Sequence, residues 1–73
     1  MANYNYTLSI ITNDDIRREE YESIDDAMRK YNILHDKMRY VFGVVVGIKL
    51  WQYRQGKTID TDPLARIIKQ HYI

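Results

Sequence analysis

The chain has no cysteine, one proline and three glycines among its 73 residues. Without thiols there is neither a disulfide framework nor a thiolate metal site, and a reducing cytoplasm is the expected setting. No stretch approaches the roughly 18 apolar residues of a membrane span, and the opening Met1-Ala2-Asn3-Tyr4-Asn5-Tyr6 lacks the basic start and apolar run of a secretory signal. The expectation is a chain that neither enters a membrane nor carries a targeting segment. Three glycines are too few for a glycine-rich phosphate loop. A net charge of +1 fits neither a strongly acidic DNA mimic nor a strongly basic nucleic-acid binder. No linker or repeat interrupts the chain, so residues 1–73 read as one domain. A domain of this size buries only about 60% of the surface its unfolded chain exposes, which leaves little volume for a catalytic cleft.

Charge is unevenly placed. Residues 1–36 hold four basic and eight acidic side chains, and residues 37–73 hold seven and two. Such halves neutralise each other within a fold, or steer two copies or a polarised partner into register.

Period-two alternation marks the first strand, Tyr4 to Thr12, with Tyr4, Tyr6, Leu8 and Ile10 on one face and Asn5, Thr7, Ser9 and Ile11 on the other. Asn13-Asp14-Asp15 supplies turn chemistry, and Ile16 to Glu22 follows as a charged edge strand with Tyr21 inward. Ser23-Ile24-Asp25-Asp26 reads as a helix start, with a capping hydroxyl and two carboxylates at the positive end of the macrodipole. From there Ile24, Ala27, Met28, Tyr31, Leu34, Met38, Val41 and Phe42 recur every three or four residues, and Gly43 closes the helix. The run Val44 to Arg54 is a strand with two unlike faces. Val44, Val46, Ile48 and Leu50 are core; Val45, Gly47, Lys49, Trp51 and Tyr53 form an aromatic and basic surface beside a glycine that permits close approach.

Arg54-Gln55-Gly56-Lys57 is a turn, and Thr58-Ile59-Asp60 a short extended piece. Thr61-Asp62-Pro63 signals a second, short helix carrying Leu64, Ile67, Ile68 and Tyr72. The expected architecture is therefore α+β, in the order β-β-α-β-α: a three-stranded, largely antiparallel sheet, one long helix on one face, and a short C-terminal helix. Eleven residues make a marginal helix in water, and docking over Trp51 and Tyr53 is one place for it to settle.

Chemistry-bearing residues are sparse. His35 and His71 are separated and without cysteines, so no metal site or other cofactor site is expected. The carboxylates at Asp14, Asp15, Glu19, Glu20, Glu22, Asp25 and Asp26 fall on a turn, an edge strand and a helix start, where water reaches them and denies the desolvation that a working acid–base pair needs. Ser9 and Ser23 have no histidine at a motif spacing. The expectation is not an enzyme. Arg17-Arg18-Glu19-Glu20 cancels its own charge and reads first as a solvated ladder. The tyrosines and Trp51 are better candidates, because such side chains supply large contact area at low entropic cost.

A charged second strand, a Ser23-Ile24-Asp25-Asp26-Ala27 helix start and a valine-rich strand in a small cysteine-free chain resemble, in general build, the accessory proteins that bacteriophages encode. That resemblance spans most of the chain and implies a protein of the host cytoplasm that binds and modulates a host protein. Two functional readings follow. In the first, a protein partner meets Lys49, Trp51, Tyr53 and Arg54, with Arg17, Arg18, Tyr40 and Lys57 as secondary contacts, or meets the charged edge strand. In the second, a nucleic acid or nucleotide stacks on Trp51 and Tyr53 while Lys49, Arg54 and Lys57 meet phosphates. A homodimer through the outer sheet face is compatible with both.

Overall fold

The computed structural model of the chain describes residues 3–40 and 45–72, and side chains within them except those of Arg39 and Tyr40. Four strands and one helix follow in the order β1 (Tyr4–Thr12), β2 (Ile16–Tyr21), α1 (Ile24–Tyr40), β3 (Val45–Arg54) and β4 (Arg66–Tyr72). All four strands form one antiparallel sheet with the spatial order β2-β1-β3-β4. The class is α+β, but the sheet has four strands where three were expected, and the second helix is a strand.

The first half of the chain folds as its pattern dictates. Thr12 closes the β1–β2 hairpin, its N–H donating to Asp15 O at 2.8 Å while its hydroxyl accepts from the Asp15 N–H at 3.1 Å. Ser23 caps α1, with Oγ accepting from the Asp25 N–H at 3.2 Å and its carbonyl accepting from Ala27 N–H at 3.1 Å. Such a cap stabilises a helix by ~1 kcal/mol. Ala27, Tyr31, Leu34 and Met38 then lie buried against Tyr6, Leu8, Ile10, Ile48 and Leu50. Leu8, Ile48 and Leu50 are fully enclosed, each burial favourable by roughly 1.5–3 kcal/mol. Ile24 was placed in the stripe but stands 43% exposed. Val41, Phe42, the proposed cap Gly43 and Val44 lie outside the described residues.

Two irregularities shift the expected faces. On β3 the register slips beside Ile11 and Thr12, so that Thr12 faces Val45 and Val46 is the extra residue. Val45 rather than Val46 packs against the core in consequence, because a bulge inverts the alternation beyond it. On β4 the register slips between Leu50 and Trp51, with Lys69 opposite Leu50 and Ile67 opposite Trp51. The extra residue, Ile68, packs on the core. This bulge makes Ile67 and Ile68 consecutive apolar positions and so imitates helical spacing.

The capping signal at Thr61-Asp62-Pro63 is real but serves one turn only. Asp62 accepts from the Leu64 N–H at 2.9 Å through its side chain and from the Ala65 N–H at 3.0 Å through its carbonyl. Beyond Ala65 the β-branched pair Ile67-Ile68 and Tyr72 favour an extended chain, and the open edge of β3 supplies the partner. The Thr58 to Asp60 piece is also not extended; it belongs to a turn in which the N–H groups of Thr61 and Asp62 both donate to Thr58 O, at 3.2 and 3.0 Å. The Arg54 to Lys57 turn forms as read, closed by the Lys57 N–H donating to Arg54 O at 3.1 Å, with Gly56 at a φ of 81° that favours glycine.

Candidate functional site

The sheet face opposite α1 carries the aromatic and basic residues. Cross-strand pairing sets Thr7 opposite Trp51, Ser9 opposite Lys49 and Ile11 opposite Gly47. Among the described residues no helix covers this face. The segment 55–65 between β3 and β4 reaches back over it, where Ile59 borders a hollow of about 140 Å³ together with Ser9, Ile11, Ile16, Arg18, Lys49 and Trp51. Arg18 reaches Asp60 at 3.1 Å across the sheet. Both side chains are more than half exposed, so the pair contributes ~1 kcal/mol at most. The hollow therefore has a weakly fastened rim.

Glycine 47 admits a close approach, and what approaches is the chain's own Tyr72. A Cβ at position 47 would sit 2.7 Å from the Tyr72 ring. Tyr72 lies directly across from Gly47 on β4 and also receives the Lys49 ammonium at 5.6 Å from its centroid. Lys49 is thereby held, half-buried, over an aromatic face beside the hollow.

Tyr53 is a different case. It is only 4% exposed, and its hydroxyl accepts a hydrogen bond from the buried Thr7 hydroxyl at 3.0 Å. It is part of the packed outer layer rather than a free ring. Arg54 is likewise committed. Its Nε and NH2 groups donate to Asp62 at 3.1 and 2.7 Å, and its backbone N–H donates to the same carboxylate at 2.8 Å. The Asp62 side chain has no exposed surface. Hydrogen bonds from the Arg54 guanidinium and backbone, joined by that from Leu64, hold its carboxyl well below the usual carboxylate range, against the opposing effect of burial. The same pairing raises the Arg54 pKa. This bidentate pair anchors the returning segment at the end of the face.

Around that anchor a groove of about 300 Å³ is lined by Tyr4, Gln52, Tyr53, Arg54, Leu64 and Arg66. Tyr4 is 43% and Leu64 67% exposed. A second groove of about 290 Å³, bordered by Asn5, Glu20, Tyr21, Glu22 and Tyr53, is acidic. In it Asn5 Oδ1 is buried without a hydrogen-bond partner among the described residues. The Tyr21 hydroxyl donates to Glu19 at 2.8 Å, and burial followed by that carboxylate pushes its pKa up to about 12.

Of the residues singled out from the sequence, Lys49, Trp51 and Arg18 converge on one hollow, while Tyr53 and Arg54 belong to the packed layer and its anchor. Arg17 is exposed on β2, on the side of the sheet that carries α1, and Lys57 is exposed in the turn. The Tyr40 side chain lies outside the described residues. Ile59, Asp62 and Leu64 were not foreseen as parts of this face. The Asp62-Pro63 dipeptide is the available sign of a turn there, and nothing local announces that Arg54 is its partner.

The histidines, far apart in sequence, meet on the helix side. Their rings lie 4.4 Å apart, edge to face, with His35 stacked on Tyr31 at 6.3 Å and Lys69 over the Tyr31 ring at 4.9 Å. Among the described residues no group of three or more metal-ligating side chains forms, and no helix is long and apolar enough to cross a membrane. The chain matches no family model, no curated protein and no solved structure.

Proposed function

We propose that this chain is a small non-catalytic protein-binding module whose partner seats on the outer sheet face, at the hollow formed by Ile16, Arg18, Lys49, Trp51 and Ile59. One observation carries the reading: an incompletely covered tryptophan and a 59% exposed isoleucine border the same open hollow, rimmed by two cations. Aromatic and aliphatic anchors beside arginine and lysine are the composition of an interface centre. The phage-type build of the sequence makes a host protein the partner class and modulation of that protein the role, in the host cytoplasm.

Nucleic acid suits this face less well. Base stacking needs open rings and free cations, whereas Tyr53 is buried beneath its bond with Thr7 and Arg54 is spent on Asp62. Of the two rings that the stacking reading names, Trp51 remains.

The test is site-specific photocrosslinking in cells that express the chain, with the probe at Lys49 and, as a control, at Asn32 on the exposed side of α1. A discrete protein adduct from position 49, absent from position 32 and lost on Trp51→Ala, is expected. Equal adducts from both positions, or adducts to nucleic acid alone, refute the proposal.

A further inference from the structure

We infer that β2 is a homodimerisation edge, pairing antiparallel with β2 of a second copy so that two sheets join into one. Within the sheet β2 is an outer strand. Its hairpin fixes which backbone groups are unused. Thr12 and Asp15 form the hydrogen-bonded pair at the turn, and antiparallel ladders alternate bonded and non-bonded pairs. Arg17, Glu19 and Tyr21 therefore bond to β1, opposite Ile10, Leu8 and Tyr6. The N–H and C=O groups of Arg18 and Glu20 and the C=O of Ile16 point away from the sheet, while the Ile16 N–H already donates to Asp15 Oδ1 at 2.7 Å. An edge of this kind templates another strand unless its side chains forbid it.

Charges commonly forbid such pairing, and here their order does the opposite. In Arg17-Arg18-Glu19-Glu20 two cations precede two anions, so a reversed copy presents anions to cations. A continuous sheet requires facing residues to project to the same side, and pairing centred on Arg18 meets that condition. Arg17 then faces Glu19 of the second copy on the helix side, and the symmetric contact repeats it. On the outer side Arg18 lies diagonal to Glu20 of the second copy, again twice. Within β2 like charges meet directly at one place, Arg18 with its own copy at the axis, and diagonally at two, Arg17 with its copy and Glu19 with its copy; the direct meeting is offset because each Arg18 already holds Asp60 at 3.1 Å. Cross-strand pairs of opposite charge favour association, and like charges directly opposite oppose it.

The other outer strand lacks this property. Arg66, Lys69 and His71 on β4 have no acidic residue among them between Arg66 and Tyr72, so a reversed copy of β4 sets cation toward cation. Pairing β2 of one copy on β4 of the next would leave free edges and propagate, whereas β2 on β2 closes with two-fold symmetry. Closure through β2 also places the Ile16 side of each hollow next to the axis, so the two outer faces run together. The dimer does not depend on the binding role proposed for that hollow, because Arg17 and Glu19 project to the opposite side.

Charge reversal tests it. Sedimentation equilibrium of the wild type is expected to show a monomer–dimer equilibrium that weakens with added salt. Arg17→Glu alone and Glu19→Arg alone each set like charges opposite one another twice and raise the dissociation constant about tenfold or more. The double variant Arg17→Glu with Glu19→Arg restores wild-type association. Mixing the two single variants, each monomeric alone, produces a heterodimer, which also shows that both have folded. A wild type that stays monomeric at every concentration, a dimer indifferent to the single reversals, or single variants that fail to pair on mixing each overturns the inference. Crosslinking from Lys49 to a partner protein is unaffected by Arg17→Glu if the hollow binds as proposed, so either idea can fail without the other.

Discussion

Tyr53 distinguishes a packed layer from an open binding surface, and its hydroxyl gives the means to measure which it is. The Thr7 hydroxyl, on a residue 2% exposed, donates to Tyr53 at 3.0 Å. Tyr53→Phe keeps the ring and removes the acceptor, leaving a buried hydroxyl unpaired at a cost of about 1–3 kcal/mol. In a domain of this length each kcal/mol lowers Tm by roughly 4–8 °C. Thr7→Val removes the donor with little change of shape. Tyr53 borders open grooves on both sides, so its freed hydroxyl lies nearer to water and the cost falls to about 0.5–1.5 kcal/mol. Removing both groups leaves neither stranded, and the double variant is expected to be no worse than Tyr53→Phe. Urea unfolding at constant m-value, analysed as a double-mutant cycle, reads a coupling of about 1 kcal/mol. If Tyr53→Phe stays within about 0.5 kcal/mol of wild type, as ordinary surface changes do, and the two changes add, the hydroxyl pair is not a buried contact and the packed-layer argument fails.

Two further outcomes follow from ionisable groups. Asp62 has a depressed folded pKa, so its stabilisation is complete above the unfolded carboxylate value of about 3.9 and drains away as pH falls toward the folded value. Thermal melts followed by circular dichroism should show Asp62→Asn less stable than wild type by a constant margin at neutral pH, and the margin should shrink below about pH 4; a margin independent of pH contradicts the Arg54 pairing. Tyr21 is shifted the other way, its pKa raised to about 12, so its contribution is intact below the unfolded value and is lost as pH rises through the folded one. Because burial leads and the Glu19 carboxylate follows among the causes, Glu19→Gln should lower the Tyr21 midpoint only part of the way, measured as the absorbance difference against Tyr21→Phe; an unmoved midpoint contradicts the Glu19 hydrogen bond.

The first two strands and the helix were legible because their signals are local and agree with one another. Tyr6, Leu8 and Ile10 alternate, Ser23 caps, and Ala27, Tyr31, Leu34 and Met38 recur at helical spacing, so pattern, propensity and packing point the same way. The last third carries a conflict instead. Asp62-Pro63 is good helix-start chemistry, and Leu64, Ile67, Ile68 and Tyr72 fit a helical stripe as readily as a bulged strand. What decides between them is non-local: the unpaired side of β3, and the claim of Arg54 on the Asp62 carboxylate eight residues ahead. Hydrophobic period alone cannot separate a bulged strand from a short helix, because one inserted residue turns alternation into spacings of three and four.

The same non-local choice determines the character of the outer face. A docked helix would have hidden Trp51 with a broad apolar stripe and left little to bind. A returning turn segment covers less. It is held by the buried Asp62 carboxylate, bidentate with a half-exposed Arg54, and two residues earlier by the exposed Arg18–Asp60 contact. An anchored base with a weakly held rim permits the Ile59 side to yield to a partner while Asp62 keeps the segment in place. Arg18→Ala is therefore expected to alter access to the hollow without unfolding the sheet, whereas loss of Asp62 releases the cover from its Arg54 anchor. Solvent quenching of the single tryptophan compares them directly: both variants should increase quenching, and Asp62→Asn the more strongly. An equal or reversed order would mean that the exposed contact, not the buried pair, holds the segment on the face.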